Sequence, residues 1–240
     1  MRLGYDLEEW YQHGVKLPIN IDLDRICHHL YVGKSGSGKS VSLKYGLYQA
    51  VCNYNVNIWL VDFKSYEDFI FYKDTAFYYD SETFIEGIDK FYNMFLTLKQ
   101  QKKRSEVRQI LVLDEYASMI LYLASKDKKE AERIKSMISE MLMQSRYYRL
   151  SIYICLQRAD ALYFPQGSRL NFMCIVHLGK MDSEQKSMLF PGYELPDTIY
   201  KPGEGIVYID GRDIQQIKFP LVEDIRKLES RIKETAGCLP

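Results

Sequence analysis

The sequence predicts a three-layer α/β domain in which a central, mostly parallel sheet carries helices on both faces. Short apolar runs recur along the chain and are separated by segments with helical spacing, the order that builds parallel strands with crossover helices. The run Ile110 to Leu113 is apolar at every position, as a buried strand is. Apolar residues make up 47% of the 240, enough to fill a sizeable core.

Each element follows from its pattern. Leu30-Tyr31-Val32 is a short strand running straight into a glycine loop. Residues 40–53 read as a helix with Val41, Leu43, Leu47, Ala50 and Val51 as its buried face, and Asn57 to Asp62 as a second strand. Residues 82–104 place Phe84, Ile85, Ile88, Phe91, Phe95 and Leu98 at helical spacing, with Ser81 as N-cap. Ile110 to Leu113 is the third strand and ends in two carboxylates. Residues 128–148 repeat Ile134, Met137, Ile138, Met141 and Leu142 along one helical face. Ile152 to Leu156 and Cys174 to Leu178 are the fourth and fifth strands. Gly205 to Ile209 and Ile214 to Phe219 form a β-like pair around Asp210-Gly211, before a charged helix from about Val222. These elements divide the chain into a lead-in segment (1–28), a core (29–220) and a helical tail (221–240).

Thirty-two Lys and Arg balance thirty-two Asp and Glu, so any nucleic-acid contact must come from local patches rather than a basic chain. Cys27, Cys52, Cys155, Cys174 and Cys238 show no C-x-x-C spacing, and those in apolar runs (Cys52, Cys155, Cys174) read as reduced core residues. Cys27-His28-His29 has no second cluster to complete a metal site. No basic stretch followed by an apolar core marks a signal peptide, and no run reaches the ~18 apolar residues of a membrane span. The expected location is the cytoplasm, with any membrane association supplied by a partner.

Gly33-Lys34-Ser35-Gly36-Ser37-Gly38-Lys39-Ser40 matches G-x-x-x-x-G-K-[ST] in full. Glycines let successive N–H groups curl inward around a polyphosphate, and the helix that follows, beginning at Ser40-Val41, aims its positive end at the same point. Lys39 is expected on the β- and γ-phosphates and the Ser40 hydroxyl on Mg²⁺. Residues 33–41 are thus the expected ATP site. Asp114-Glu115 follows the third strand at its carboxyl end, where ligands bind in open α/β sheets. An Asp there can hold the Mg²⁺ shell, and the Glu beside it can take a proton from attacking water. Gly179-Lys180-Met181-Asp182 lacks the Asn of a guanine-reading N-K-x-D, and no L-S-G-G-Q-like signature of an ABC transporter is present. A small-molecule kinase usually lacks the adjacent Glu. What remains is an ATPase with a catalytic glutamate.

Further stretches resemble the FtsK/SpoIIIE/HerA family of DNA-pumping ATPases over roughly residues 18–220. They are Ile19 to Arg25 leading to His29 to Gly33, Val61-Asp62-Phe63-Lys64 (a D-x-K strand end), and Leu113 to Ala117 (Walker B). Ser145 to Arg158 is similar to the family's R-x-x-G-I-H-L-x-L-x-T-Q-R, with Arg149 where Gly is common and Leu156 where Thr is. Lys180-Met181-Asp182-Ser183 and Gly203 to Tyr208 complete the likeness. The resemblance implies a RecA-like P-loop NTPase in a homo-oligomeric, hexameric ring on double-stranded DNA, with ATP and Mg²⁺. It implies Gln157 as γ-phosphate sensor and Arg146 or Arg158 as a residue acting on a neighbouring subunit's ATP. Pore loops are expected after Lys64 and within Ala159 to Asn171, where Tyr163, Gln166, Ser168 and Arg169 are candidate phosphate contacts. Lys102-Lys103-Arg104 with Arg108 forms a basic cluster, read first as a solvated helix end. A stripped motor of this kind is expected on a mobile element, plasmid or virus, with a membrane channel, relaxase or capsid as partner. Virion genome packaging and an ATP-dependent assembly switch that moves no DNA are the competing readings.

Overall fold

The computed structural model describes residues 1–65 and 67–237, the side chains of Glu67, Gln166 and Gly237 excepted. Cys238 lies outside the described residues, as does the Gln166 side chain. The strands are β1 (Arg2–Asp6), β2 (Pro18–Asn20), β3 (His29–Gly33), β4 (Val56–Asp62), β5 (Tyr78–Tyr79), β6 (Arg108–Asp114), β7 (Leu150–Leu156), β8 (Cys174–Leu178), β9 (Glu204–Ile209) and β10 (Gln215–Lys218). The helices are α1 (Leu7–His13), α2 (Lys39–Asn53), α3 (Phe84–Gln101), α4 (Tyr116–Lys126), α5 (Lys128–Gln144), α6 (Ser183–Leu189) and α7 (Ile225–Lys233).

The strands form one sheet in the order β2-β1-β10-β9-β8-β3-β7-β6-β4-β5. From β8 to β5 every pairing is parallel, and from β8 out to β2 every pairing is antiparallel. The expected mostly parallel α/β sheet is therefore present. Residues 1–28 supply β1 and β2, which extend the same sheet beyond β10.

Alternation along the strands feeds two cores. Leu111, Leu113, Ile152 and Ile154 pack with α3, α4 and α5 on one face. Ile110, Val112, Tyr153 and Cys155 pack with α2 and α7 on the other. Both faces of the parallel strands are thus covered, which explains why these runs are apolar at every position instead of every second one.

Several boundaries differ from expectation. α3 starts at Phe84 after Thr83, not after Ser81. The helix expected over 128–148 tightens to 3₁₀ geometry at Ser145–Tyr148 and ends on Arg149 in the left-handed region, at φ 61°. That conformation is one glycine adopts freely, in keeping with the Gly that is common at this position in the family the sequence resembles. Val41 is not core: it sits on the first turn of α2 facing the cavity mouth and is 43% exposed. Cys52, next to buried Val51, falls on the outward side of the last turn of α2 and is exposed. Among the described residues, no helix is long and apolar enough to cross a membrane.

Candidate nucleotide-binding site

Strand β3 delivers the glycine loop between β7 and β8, its neighbours on either side. Within the loop, Gly36 and Gly38 have φ of 78° and 89°, left-handed values that other residues rarely adopt. At Gly38 a Cβ would also stand 2.7 Å from the main-chain nitrogen of Gly203. The loop is anchored there, since Gly203 N–H donates to the Ser37 carbonyl at 2.8 Å. Gly38 caps α2 without any side-chain hydrogen bond, so the first N–H groups of the helix are left for a ligand.

The loop opens on a cavity of about 440 Å³ lined by Lys34, Ser35, Gly36, Gly38, Lys39, Ser40, Val41, Asp62, Lys64, Asp68, Asp114, Glu115 and Gln157. Gly33 and Ser37, expected on the nucleotide, are not among the residues that line this cavity. A Cβ on Gly33 would lie 2.5 Å from the Ser37 Oγ and 2.9 Å from the Leu178 carbonyl, so both residues serve close packing against β8.

Sheet order explains how the other side chains arrive. β7 lies between β3 and β6, so Gln157, just past the end of β7, falls between the loop and the Asp114-Glu115 pair. β4 pairs with β6 in register, Asp62 opposite Asp114, which brings two carboxylates to adjacent strand ends. Glu115 turns the chain into α4 through φ 54°, a left-handed conformation that is rare outside glycine and that clusters at functional sites. Its Oε1 is 3.1 Å from Lys64 Nζ and 3.6 Å from Lys39 Nζ.

Burial is the main force pushing the Asp114 carboxyl up to about 7. Lys39 opposes the shift, while Glu115, Asp62 and Asp68 add to it. Four carboxyl groups (Asp62, Asp68, Asp114, Glu115) face three lysines (Lys34, Lys39, Lys64) in this cavity, so a cation carried in with a polyphosphate would offset repulsion from the carboxylates. Oxygen donors at Ser40 and Asp114, with this excess of negative charge around them, fit a hard divalent cation such as Mg²⁺. The sequence marked Asp62 and Lys64 only through the D-x-K likeness. Asp68 was missed because nothing separates it from other loop acids until the fold brings it to the cavity.

The arginines fall elsewhere. Arg146 is exposed beside Asp22, Arg25 and Arg212 at the amino ends of the parallel strands, away from its own chain's glycine loop. Arg158 follows Gln157 and is held by Glu184 at 2.5 Å, Asp182 at 3.3 Å and Asp160 at 3.5 Å. The Asp182 of the Gly-Lys-Met-Asp stretch caps α6, accepting from the Gln185 N–H at 2.8 Å.

Three candidate phosphate contacts between β7 and β8 turn inward. Tyr163 is buried, Ser168 accepts from the Ser139 hydroxyl at 2.9 Å within the core, and Arg169 donates to the Ala159 carbonyl at 2.9 Å. Two 3₁₀ turns, Ala161–Tyr163 and Pro165–Asn171, fold this stretch back on α5, so it offers Leu162 and Leu170 to solvent instead. Arg108 likewise leaves the basic cluster: it is 3% exposed and ion-pairs with Asp24.

The fold is shared with solved ATPases. EssC (ATPases 2 and 3) from Geobacillus thermodenitrificans superposes with a TM-score of 0.70 at 15% identity, over 98% of this chain and 48% of that one. The pCW3 conjugation coupling protein TcpA, solved with ATPγS, gives 0.70 at 23% identity, over 90% of this chain and 67% of that one. The chain has the P-loop NTPase fold. The genome packaging NTPase B204 from Sulfolobus turreted icosahedral virus 2, in complex with AMPPCP, gives 0.56 at 18% identity over 83% of this chain and all of that one. The chain spans about half of the EssC structure it matches. No family model and no curated protein matches the sequence.

Proposed function

We propose that this chain is the ATP-hydrolysing motor of a ring that moves double-stranded DNA, of the FtsK/SpoIIIE/HerA type. The observation that carries the reading is the convergence of Lys39, Ser40, Asp114, Glu115 and Gln157 on one 440 Å³ cavity at the carboxyl ends of three neighbouring parallel strands. Uncapped N–H groups of α2 and the Lys39 ammonium bind the β- and γ-phosphates. Ser40 and Asp114 hold Mg²⁺, which when bound offsets charge on the phosphates. Glu115 takes the proton of the attacking water, whose oxygen bonds to the γ-phosphorus as the bond to the ADP oxygen breaks. Gln157 senses the γ-phosphate from the end of β7.

Arg146, remote from its own glycine loop and exposed, suits a role on a neighbouring subunit's nucleotide, where an arginine supplied in trans is worth ~10³–10⁵ in rate. Arg158 is already engaged by three acidic side chains and suits that role less well. The units of this motor are residues 1–28 as an edge of the sheet, 29–220 as the core and 221–240 as a helical tail whose α7 packs on α2. The ring is hexameric and cytoplasmic, acting with a membrane-channel or relaxase partner in conjugation. A genome-packaging role has its own support, because all of the B204 structure falls within the matched region.

The test is the ATPase rate of the purified chain with and without duplex DNA, beside a mass measurement of the assembly. Severalfold stimulation by DNA in a ring-sized species is expected. An assembled ring whose rate ignores DNA would favour an ATP-dependent assembly switch instead.

A further inference from the structure

Lys64 stands in the nucleotide cavity with no task in the reaction described above. We propose that Lys64 is the positioning residue for Glu115: its ammonium ties down one carboxylate oxygen so that the other faces the attacking water. The inference rests on the ATPase reading of the preceding subsection.

The two lysines around Glu115 meet the same oxygen, Oε1, Lys64 at 3.1 Å and Lys39 at 3.6 Å. Among the described residues, no hydrogen bond reaches Oε2, and both lysines make their contact through Oε1. Their futures differ when a polyphosphate arrives. Lys39 belongs to the glycine loop, and its ammonium is drawn to the phosphates. Lys64 lies on a different strand end, 33% exposed, and remains the cation on Oε1. Without it the carboxylate of a left-handed residue at a strand end would be free to swing about its side-chain bonds, and a base displaced by ~1 Å loses much of its effect.

The backbone around Lys64 is built to hold it. Asp62 and Asp114 are register partners, so the chains leave β4 and β6 side by side and the next residues converge. Both exits turn through the left-handed region at non-glycine residues, Ser65 at φ 52° and Glu115 at φ 54°. Strain of this kind persists only where surrounding contacts over-determine it. At Ser65 two of those contacts come from Asp62. The Ser65 N–H donates to Asp62 Oδ1 at 3.0 Å and its hydroxyl donates to the Asp62 carbonyl at 3.2 Å. The Tyr78 hydroxyl from β5 donates to Asp62 Oδ2 at 3.1 Å, fixing the other side of that carboxyl. Asp62 is buried, and its hydrogen bonds point away from the role of a free metal ligand and toward clamping the turn that carries Lys64.

Lys64→Met keeps side-chain length and removes charge. We expect kcat to fall about 10- to 100-fold with KM and Kd for ATP within about twofold, because the lost contact acts on the base and not on the nucleotide. Lys64→Arg should restore most of the rate. In a Glu115→Gln background, Lys64→Met should add no further loss, since a residue acting through Glu115 has nothing left to position. An unchanged kcat in Lys64→Met would overturn the proposal. So would a rise in KM with kcat intact, which would make Lys64 a phosphate ligand, or losses that multiply in the double variant. If Lys64→Met fails to fold, Lys64→Gln decides by the same comparisons. A wild-type chain without ATPase activity removes the underlying reading, whereas an active wild type with an unaffected Lys64→Met rejects this inference alone.

Discussion

At the carboxyl ends of the parallel strands, Asp114 and Glu115 are buried next to Asp62, with Lys39 and Lys64 converging on a single oxygen of Glu115. At the amino ends of the same strands, buried Arg108 ion-pairs with Asp24 and donates to the Ser151 hydroxyl at 3.2 Å. Nearby, His28 Nδ1 accepts from the Ile152 N–H at 3.2 Å and His29 stacks on Tyr153 at 4.1 Å. Both ends bury ionisable groups, which is costly unless they are paired. The amino end pairs the buried Arg108 cation within the chain and keeps its histidines neutral, although His28 Nε2, His29 Nδ1 and the Tyr153 hydroxyl are buried without a hydrogen-bond partner among the described residues. The carboxyl end leaves an excess of carboxylates around a cavity, with left-handed turns at Ser65 and Glu115 on its rim. The contrast teaches that burial of charge alone does not mark a functional site; buried charge left without its full complement, beside open space, does.

The sharpest way to break that comparison is to change a charge at each end and ask what is lost. Lys39→Ala should raise the Kd for ATP about 100-fold, in keeping with the ~3 kcal/mol upper range for a hydrogen bond to a charged group. A fluorescent nucleotide titration reads it, and near-normal affinity would remove the loop from the site. Glu115→Gln should leave that affinity in place and cut turnover about 10²–10⁴-fold, the range for a positioned general base. Normal hydrolysis by Glu115→Gln would move the base elsewhere in the cavity. Mixing Arg146→Ala with Glu115→Gln subunits then asks whether the amino end of one subunit serves the carboxyl end of the next. Recovered activity is the expected result, and a dead mixture argues against it.

The two ends were unequally legible in the sequence. The carboxyl end is written in local order: the glycine loop is eight consecutive residues, and Asp114-Glu115 closes an unbroken apolar run. Sheet order supplied what no local pattern holds, namely that β7 would carry Gln157 between loop and carboxylates, and that Asp68 would reach the cavity from a loop. The amino end was misread for the same reason. Arg108 follows Lys102-Lys103-Arg104 closely in sequence, yet the chain turns into β6 at that point and takes its guanidinium inside to Asp24, 84 residues away. The connection that leaves the carboxyl end of β7 was misread too: Tyr163 and Ser168 look like polar loop residues, but the two 3₁₀ turns direct them onto Tyr116 and Ser139. Val41 and Cys52 show the limit of reading a helix as one apolar stripe, because its first and last turns serve a cavity and the solvent rather than the sheet.

Arg108→Met tests the amino end at intermediate size. Its partner Asp24 is half exposed, so water screens the pair on one side, and removal should cost about 1–3 kcal/mol. The drop appears in chemical denaturation at unchanged m-value, while Kd for ATP and kcat stay within about twofold of wild type. A large loss of ATPase activity with little loss of stability would make the two ends functionally alike and end the contrast.

The smallest effect lies in pH, where the two ends should pull in opposite directions. In the nucleotide-free chain the Asp114 carboxyl is pushed from 3.8 up to about 7, chiefly by burial. A carboxyl whose folded value is raised holds its proton more tightly when folded. Its contribution to stability is therefore complete below about 4 and is lost as pH climbs through about 7. His28 is pushed from 6.5 down to about 3 and His29 to about 4, burial again being the largest cause. Histidines kept neutral in this way stabilise fully above about 6.5 and lose that contribution as pH falls toward 3 to 4. Melting curves from about pH 4 to pH 8 separate the two, because Asp114→Asn should flatten the decline on the neutral side and leave the acid side as it was. Magnesium with ATP should raise the melting temperature more at pH 8 than at pH 6, since protons compete for Asp114 at the lower pH. If Asp114→Asn followed the wild-type curve throughout, Asp114 would hold no proton near neutral pH, and the excess of negative charge assigned to the cavity would have to be balanced by groups of the chain itself, as it is at the amino end.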